Sequence, residues 1–182
     1  MCGTKLEFAA AARRSALLRL VQIRFAGLYQ IVMKPIELQP AASSDYDEIA
    51  DVWHASASLP GVGPVPMVPR EALRARIEPE VANGWRITVA KTGGEIVGFL
   101  AVDAENKVLS QIFVRPDLIG SGLGVRLLRA AMKQMPNGFT LSTASTNASA
   151  RRFYEKSGFI MTGTGVHPRT GHEISFYEWP GQ

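Results

Sequence analysis

Cysteine is nearly absent: Cys2 is the only one in 182 residues. That excludes an intramolecular disulfide and any cysteine metal cluster, and it points to a reducing, cytoplasmic setting. A long apolar run is also missing. The nearest approach, "SALLRLVQIRFAGLYQIVM", is broken by Arg19 and Arg24, short of the roughly 18 uncharged apolar residues that a membrane-spanning helix requires. Acidic residues are scarce in one place only. Residues 1–32 carry Lys5, Arg13, Arg14, Arg19 and Arg24 against Glu7 alone, whereas residues 33–182 hold 15 basic and 15 acidic side chains. The net charge of +4 therefore belongs to the first segment, and the body shows no electrostatic footprint for nucleic acid.

With 46% hydrophobic and 20% charged residues, the chain is composed like a folded domain rather than a disordered one, and its length suits one domain with a full core. In the basic extension, residues 1–32, Leu17, Leu18, Val21, Phe25 and Leu28 form one apolar stripe if the segment is helical. A docking helix, an organelle-targeting presequence and a flexible extension that contributes little all fit. Met33, directly before the first strand-like segment, would be a natural start and favours the last.

The body, residues 33–182, alternates between strand and helix patterns. "IELQPA" (36–41) reads as a strand and "SSDYDEIADVWHASA" as a helix capped by Ser43 or Ser44, with Ile49, Val52 and Trp53 facing inward. "LPGVGPVPMVPR", with Pro60, Pro64, Pro66 and Pro69, must be a loop. A short helix follows in "REALRARIEPEV", and residues 85–114 read as a three-stranded meander turning at Gly93-Gly94 and "DAEN". A helix over about 122–135, a strand over 139–143, a helix over 147–158 and two strands around "HPRTG" complete the chain. The order β-α-α-β-β-β-α-β-α-β-β describes an α/β domain with one mixed sheet covered by helices, in which strands 108–114 and 139–143 form a parallel pair.

Between two of these elements lies "RPDLIGSGLGVRLL", with Gly120, Gly122 and Gly124 at alternate positions. A dinucleotide fingerprint needs G-x-G-x-x-G, but the third slot here is Val125, and no acid stands about 20 residues on. A P-loop needs Gly-Lys-Ser/Thr, which is missing. What remains is a glycine turn entering a helix, either a phosphate cradle of backbone N–H groups or a device for close packing.

Downstream, "STNASARRFYEKSGF" fits N-x-x-A-x-x-F-Y-x-K-x-G-F. Together the two motifs closely resemble those of the GCN5-related N-acetyltransferase (GNAT) superfamily, over residues 36–179. The resemblance implies a mixed sheet whose central parallel strands splay apart, helices on both faces, and acetyl-CoA as co-substrate in the V, with no metal. It implies that main-chain groups of Ile112, Phe113 and Val114 meet the pantetheine arm. Backbone N–H groups across Ile119, Gly120, Ser121, Gly122, Leu123, Gly124 and Val125 would hold the pyrophosphate. Asn147 would bond the pantetheine arm, cap its own helix, or both. Tyr154 falls where the family places a general acid; its other reading is a core aromatic. Arg151, Arg152 and Lys156 could reach the 3′-phosphate. The sequence departs from the family pattern at Ile119, where Arg or Gln is usual, so a side-chain contact to the phosphates is lost.

No acid stands on "VLSQIFV" to serve as the general base that many relatives carry there. Asp103, Glu105, His54, His167, His172 and Glu173 are candidates, with a water relay oriented by Gln111 or Ser110 preferred. Val62, Val65, Met67 and Val68 suggest an apolar acceptor wall, and no carboxylate lies between residues 52 and 70. That argues against polycationic substrates and for a small, weakly charged or amino-acid-like amine. The expected activity is direct acetyl transfer to a small-molecule amine, with no nucleic acid or membrane partner and homodimerisation left open. The alternatives are a protein, peptide or aminoacyl-tRNA acetyltransferase, or a non-catalytic acyl-CoA-binding module.

Overall fold

The computed structural model describes residues 35–181, so the readings of residues 1–32 lie outside the described residues. Seven strands, β1 (Glu37–Pro40), β2 (Trp85–Thr92), β3 (Glu95–Asp103), β4 (Val108–Val114), β5 (Phe139–Ala144), β6 (Ile160–Val166) and β7 (Glu173–Trp179), form one sheet in the order β1-β2-β3-β4-β5-β7-β6. The helices are α1 (Tyr46–Ala57), α2 (Arg70–Ala82), α3 (Leu123–Gln134) and α4 (Ala148–Lys156). All neighbouring strands run antiparallel except β4 and β5. The mixed α/β sheet expected from the sequence is therefore present. Sequence order alone did not reveal that β7 inserts between β5 and β6.

β3 runs through the middle of the core. Phe99 and Ala101 join one buried cluster with Trp53, Leu73, Ile77 and Trp85, whereas Leu100 and Val102 join another with Leu123, Leu127 and Tyr154. Because successive side chains of a strand point to opposite faces, α1 and α2 cover one face while α3 and α4 cover the other. β3 is thus apolar almost throughout, as a strand buried on both faces must be. Pro40 costs nothing as the last residue of an edge strand, where no inner neighbour needs its missing N–H.

The start of α1 differs from expectation. A single 3-10 turn, Ser43–Asp45, precedes it, and neither serine side chain caps. Asp45 serves instead: its carboxylate accepts from the Ala42 N–H at 3.0 Å and from Lys91 Nζ at 2.7 Å. This ties the start of the helix to β2. Among the described residues, no helix is long and apolar enough to cross a membrane.

Candidate active site

The geometry of the site begins with β4. It pairs with β3 at six positions, from Gly98 opposite Val114 to Asp103 opposite Val108, but with β5 only where Val108 meets Thr140. Beyond that point the parallel strands part, and a cleft of about 920 Å³ opens between them. It reaches from the glycine loop to the β6–β7 turn.

Alternation along an antiparallel ladder decides which main-chain groups face the gap. The Arg115 N–H donates to Val97 O at 2.9 Å, so Phe113, two residues earlier and opposite Phe99, also points its groups at β3. Ile112 and Val114 therefore point theirs into the V. The same reasoning applies to β5. The Ser145 N–H donates to Glu173 O at 3.0 Å, which turns Ser142 and Ala144 toward the gap. Two of these groups are already committed within the protein: Val114 O accepts from the buried Ser56 hydroxyl at 2.7 Å, and Ala144 O accepts from the Asn147 N–H at 2.9 Å. The N–H groups of Ile112, Val114, Ser142 and Ala144, with the carbonyls of Ile112 and Ser142, have no partner among the described residues. Ala144 is buried and Ile112 and Val114 are half-buried, and main-chain groups withdrawn from bulk water need a partner. A ligand with amides along its length would supply it.

Phe113 requires a correction. Its backbone belongs to β3, so it contributes its ring rather than main-chain hydrogen bonds, stacking on Phe99 at 5.8 Å and packing on Trp53 at 6.2 Å between centroids. Ser142 and Ala144 were missed because the sequence does not show in which phase β5 meets β7.

At one end of the cleft, the chain passes through Gly120 and Gly122, both at φ +87°, and enters α3 at Leu123. A Cβ at either glycine would meet nothing within 4 Å, so the requirement is backbone conformation and open approach, not packing. The N–H groups of Ile119, Ser121 and Leu123 are taken locally by Pro116 O, Leu118 O and Ser121 Oγ. Those of Gly120, Gly122, Gly124 and Val125 have no acceptor among the described residues. Four free donors at a helix N-terminus form an anion cradle. The Leu123 side chain is core, whereas Ile119 is exposed and offers no charge.

On the opposite wall, α4 begins at Asn147, whose Oδ1 accepts from the Ala150 N–H at 3.0 Å, a helix cap. The side chain also lines the cleft. Tyr154 lies about two helical turns further along the same face, packed against Phe153, Phe159 and Tyr177 at 5.3–5.9 Å. It is core and cleft wall at once. Its hydroxyl bonds no protein group among the described residues, and burial pushes the phenol well above its ordinary value of 10.0. The group is therefore neutral and holds its proton. Arg151 is committed elsewhere, to Tyr177 Oη at 3.2 Å and Ser145 O at 3.4 Å.

Of the base candidates, Ser110, Gln111, His167 and His172 line the cleft, but His54, Asp103, Glu105 and Glu173 do not. Asp103 is engaged by Asn106 in the β3–β4 turn, at 2.7 Å and 3.0 Å. The two imidazoles stack at 5.1 Å and share the Thr170 hydroxyl, each at 2.8 Å. The residues 59–69 loop closes over the gap: Thr146 Oγ1 donates to Gly61 O at 3.1 Å. One charged side chain that the sequence did not single out, Arg76 of α2, also lines the cleft. Arg76 is one of three arginines in "REALRARIEPEV", and nothing in that spacing marks it out.

A family model described as an acetyltransferase (GNAT) domain matches residues 61–174. The chain belongs to the GNAT family. It is 36% identical over 69 residues to the peptidyl-lysine N-acetyltransferase YjaB of Salmonella typhimurium, which covers 38% of this chain and 46% of that protein. It is also 36% identical over 89 residues to the 5-NmdU N-acetyltransferase of Pseudomonas phage PaMx11, covering 46% and 63%. The matched stretches thus span about half the length of these curated relatives. The fold matches that of YncA from Salmonella typhimurium, solved with its cofactor acetyl-CoA, with a TM-score of 0.60 at 20% identity over 80% of this chain and 94% of that one.

Proposed function

We propose that this GNAT protein transfers the acetyl group of acetyl-CoA directly to the primary amine of a small acceptor within a ternary complex. One observation carries the reading: the unpartnered main-chain groups on both walls of the V and the four free amides of the glycine loop lie in one cleft. A ligand with amides along its length and phosphates at one end would answer both sets of groups. In this reading Ile112, Val114, Ser142 and Ala144 hold the pantetheine arm, Gly120, Gly122, Gly124 and Val125 hold the pyrophosphate, and Asn147 lines the arm while capping α4.

Acetyl-CoA would supply an activated acyl carbon. The acceptor nitrogen, after giving a proton to water held by Ser110 or Gln111, forms the new C–N bond as the C–S bond breaks. The Tyr154 phenol donates its proton to the departing sulfur and is reprotonated from solvent. Its neutral state and its lack of an acceptor among the described residues suit it to that donation. No acyl-enzyme step is needed.

The likeness to a peptidyl-lysine N-acetyltransferase supports a second reading, with a lysine side chain as acceptor. Access favours a small molecule. The β6–β7 turn lines the cleft and is tied to α2 by the Arg169–Glu80 pair at 2.6 Å, while the 59–69 loop closes another side. Calorimetric titration with acetyl-CoA, coenzyme A and NAD tests the proposal. Binding of both coenzyme A forms but not NAD is expected, and failure to bind either coenzyme A form would overturn it. Turnover of lysine peptides alone, among peptides and small amines, would replace the small acceptor with the second reading.

A further inference from the structure

The acceptor end of the cleft has an unusual charge balance. No aspartate or glutamate lines the cleft among the described residues, and the one fully charged side chain that does is Arg76. Its guanidinium lies 4.9 Å over the Trp53 ring, which fixes its plane. Nε is buried without a hydrogen-bond partner among the described residues, and NH2 reaches Glu80 Oε1 only at a stretched 3.4 Å. The same oxygen is held at 2.6 Å by Arg169, so a single carboxylate serves two guanidiniums. Burial first, then the Arg169 charge, pulls Arg76 below the ordinary arginine value, the expected response of an under-neutralised, desolvated cation. The other titratable groups on this side, His167 and His172, add no negative charge.

Leaving a sheltered guanidinium half-paired is costly, and a planar fork of N–H donors is matched by two oxygens of an anion. A polyamine or a cationic peptide would meet the opposite of what it needs. We propose that Arg76 is a specificity residue that binds an anionic group carried by the acceptor, so that the preferred substrate is an amine bearing its own carboxylate or phosphate. This deepens, and rests on, the acetyl-transfer reading given above.

The test uses matched pairs of acceptors with the full chain and acetyl-CoA, following thiol release. The pairs are free amino acids against their carboxamides, Nα-acetyl-lysine against Nα-acetyl-lysinamide, and phosphoethanolamine against ethanolamine. The wild type is expected to favour the anionic member of at least one pair tenfold or more in kcat/KM. The carboxylate and phosphate pairs distinguish the two sources of charge. Arg76→Gln should erase the preference through KM while leaving coenzyme A affinity by calorimetry unchanged, and Arg76→Lys should restore part of it. Equal or better use of the uncharged members, or turnover of no anionic amine while coenzyme A still binds, overturns the inference. So does a preference that survives in Arg76→Gln. The wild-type comparison stands even if a variant fails to fold. Loss of coenzyme A binding by the wild type would instead remove the parent reading.

Discussion

The two edges of β4 have opposite fates. Along β3 it is paired over its length and backed by Phe99, Phe113 and Trp53; along β5 it is paired once and then released. One strand is thus stabilised from one side and left unsatisfied on the other. Substitutions at the closed edge should therefore lower stability, whereas those around the open edge should change binding and turnover while the fold persists. The largest effect belongs to the closed edge. Phe99→Ala removes a ring with no exposed surface and should cost about 3–5 kcal/mol, read as a lower urea midpoint. A loss below ~1 kcal/mol would mean that this edge is not the frame of the site.

The open side should respond the other way. Tyr154→Phe removes a hydroxyl that bonds no protein group among the described residues and keeps the ring contacts with Phe153, Phe159 and Tyr177. Melting temperature and coenzyme A affinity should hold, while kcat falls at least about tenfold, a floor set beneath the roughly hundredfold where a positioned general acid's usual contribution begins. Unchanged turnover would remove Tyr154 from the mechanism and leave it a core aromatic.

Gly122→Ala tests the cradle apart from the chemistry. At φ +87° an alanine is strained by about 1–2 kcal/mol, and its methyl group would project into space that is otherwise open. Coenzyme A affinity should fall about tenfold, measured by calorimetry, with less change in kcat at saturation. Equal affinity would show that the loop does not approach the phosphates.

How much of this was legible in the sequence follows the same division. The frame could be read because burial writes itself into periodicity: the apolar run of β3, the glycine turn before α3 and the Asn147 cap all lie within a few residues of their consequences. The parallel pairing of β4 with β5 followed from the intervening helix. The phase of hydrogen bonding did not, because it depends on register with strands distant in sequence. That is why Phe113 was read as facing the cleft through its main chain beside Ile112 and Val114, and why Ser142 and Ala144, whose main-chain groups do face it, were not named. Arg76 was illegible for a related reason. Its meaning comes from Trp53 on one helix and from Arg169, 93 residues later in the chain, competing for Glu80.

The smallest expected effect lies at the far end of the cleft, where the β6–β7 turn depends on His167 accepting hydrogen bonds. Its Nδ1 lies 3.3 Å from the N–H groups of both Arg169 and Thr170, an arrangement that requires an unprotonated nitrogen there. Burial holds its imidazole below the ordinary 6.5, reinforced by His172, Arg76 and Arg169. In the window just below pH 6.5 the unfolded chain takes up a proton that the folded chain refuses, so stability must fall as pH falls. The contribution is complete above that window and levels off once the folded imidazole also protonates. Thermal melts between pH 7.5 and 5.5 should show a small downward drift for the wild type, with a shallower one in His167→Gln. If both drift equally, the turn is held by the Arg169–Glu80 pair rather than by the histidine, and the acceptor end is insensitive to its protonation.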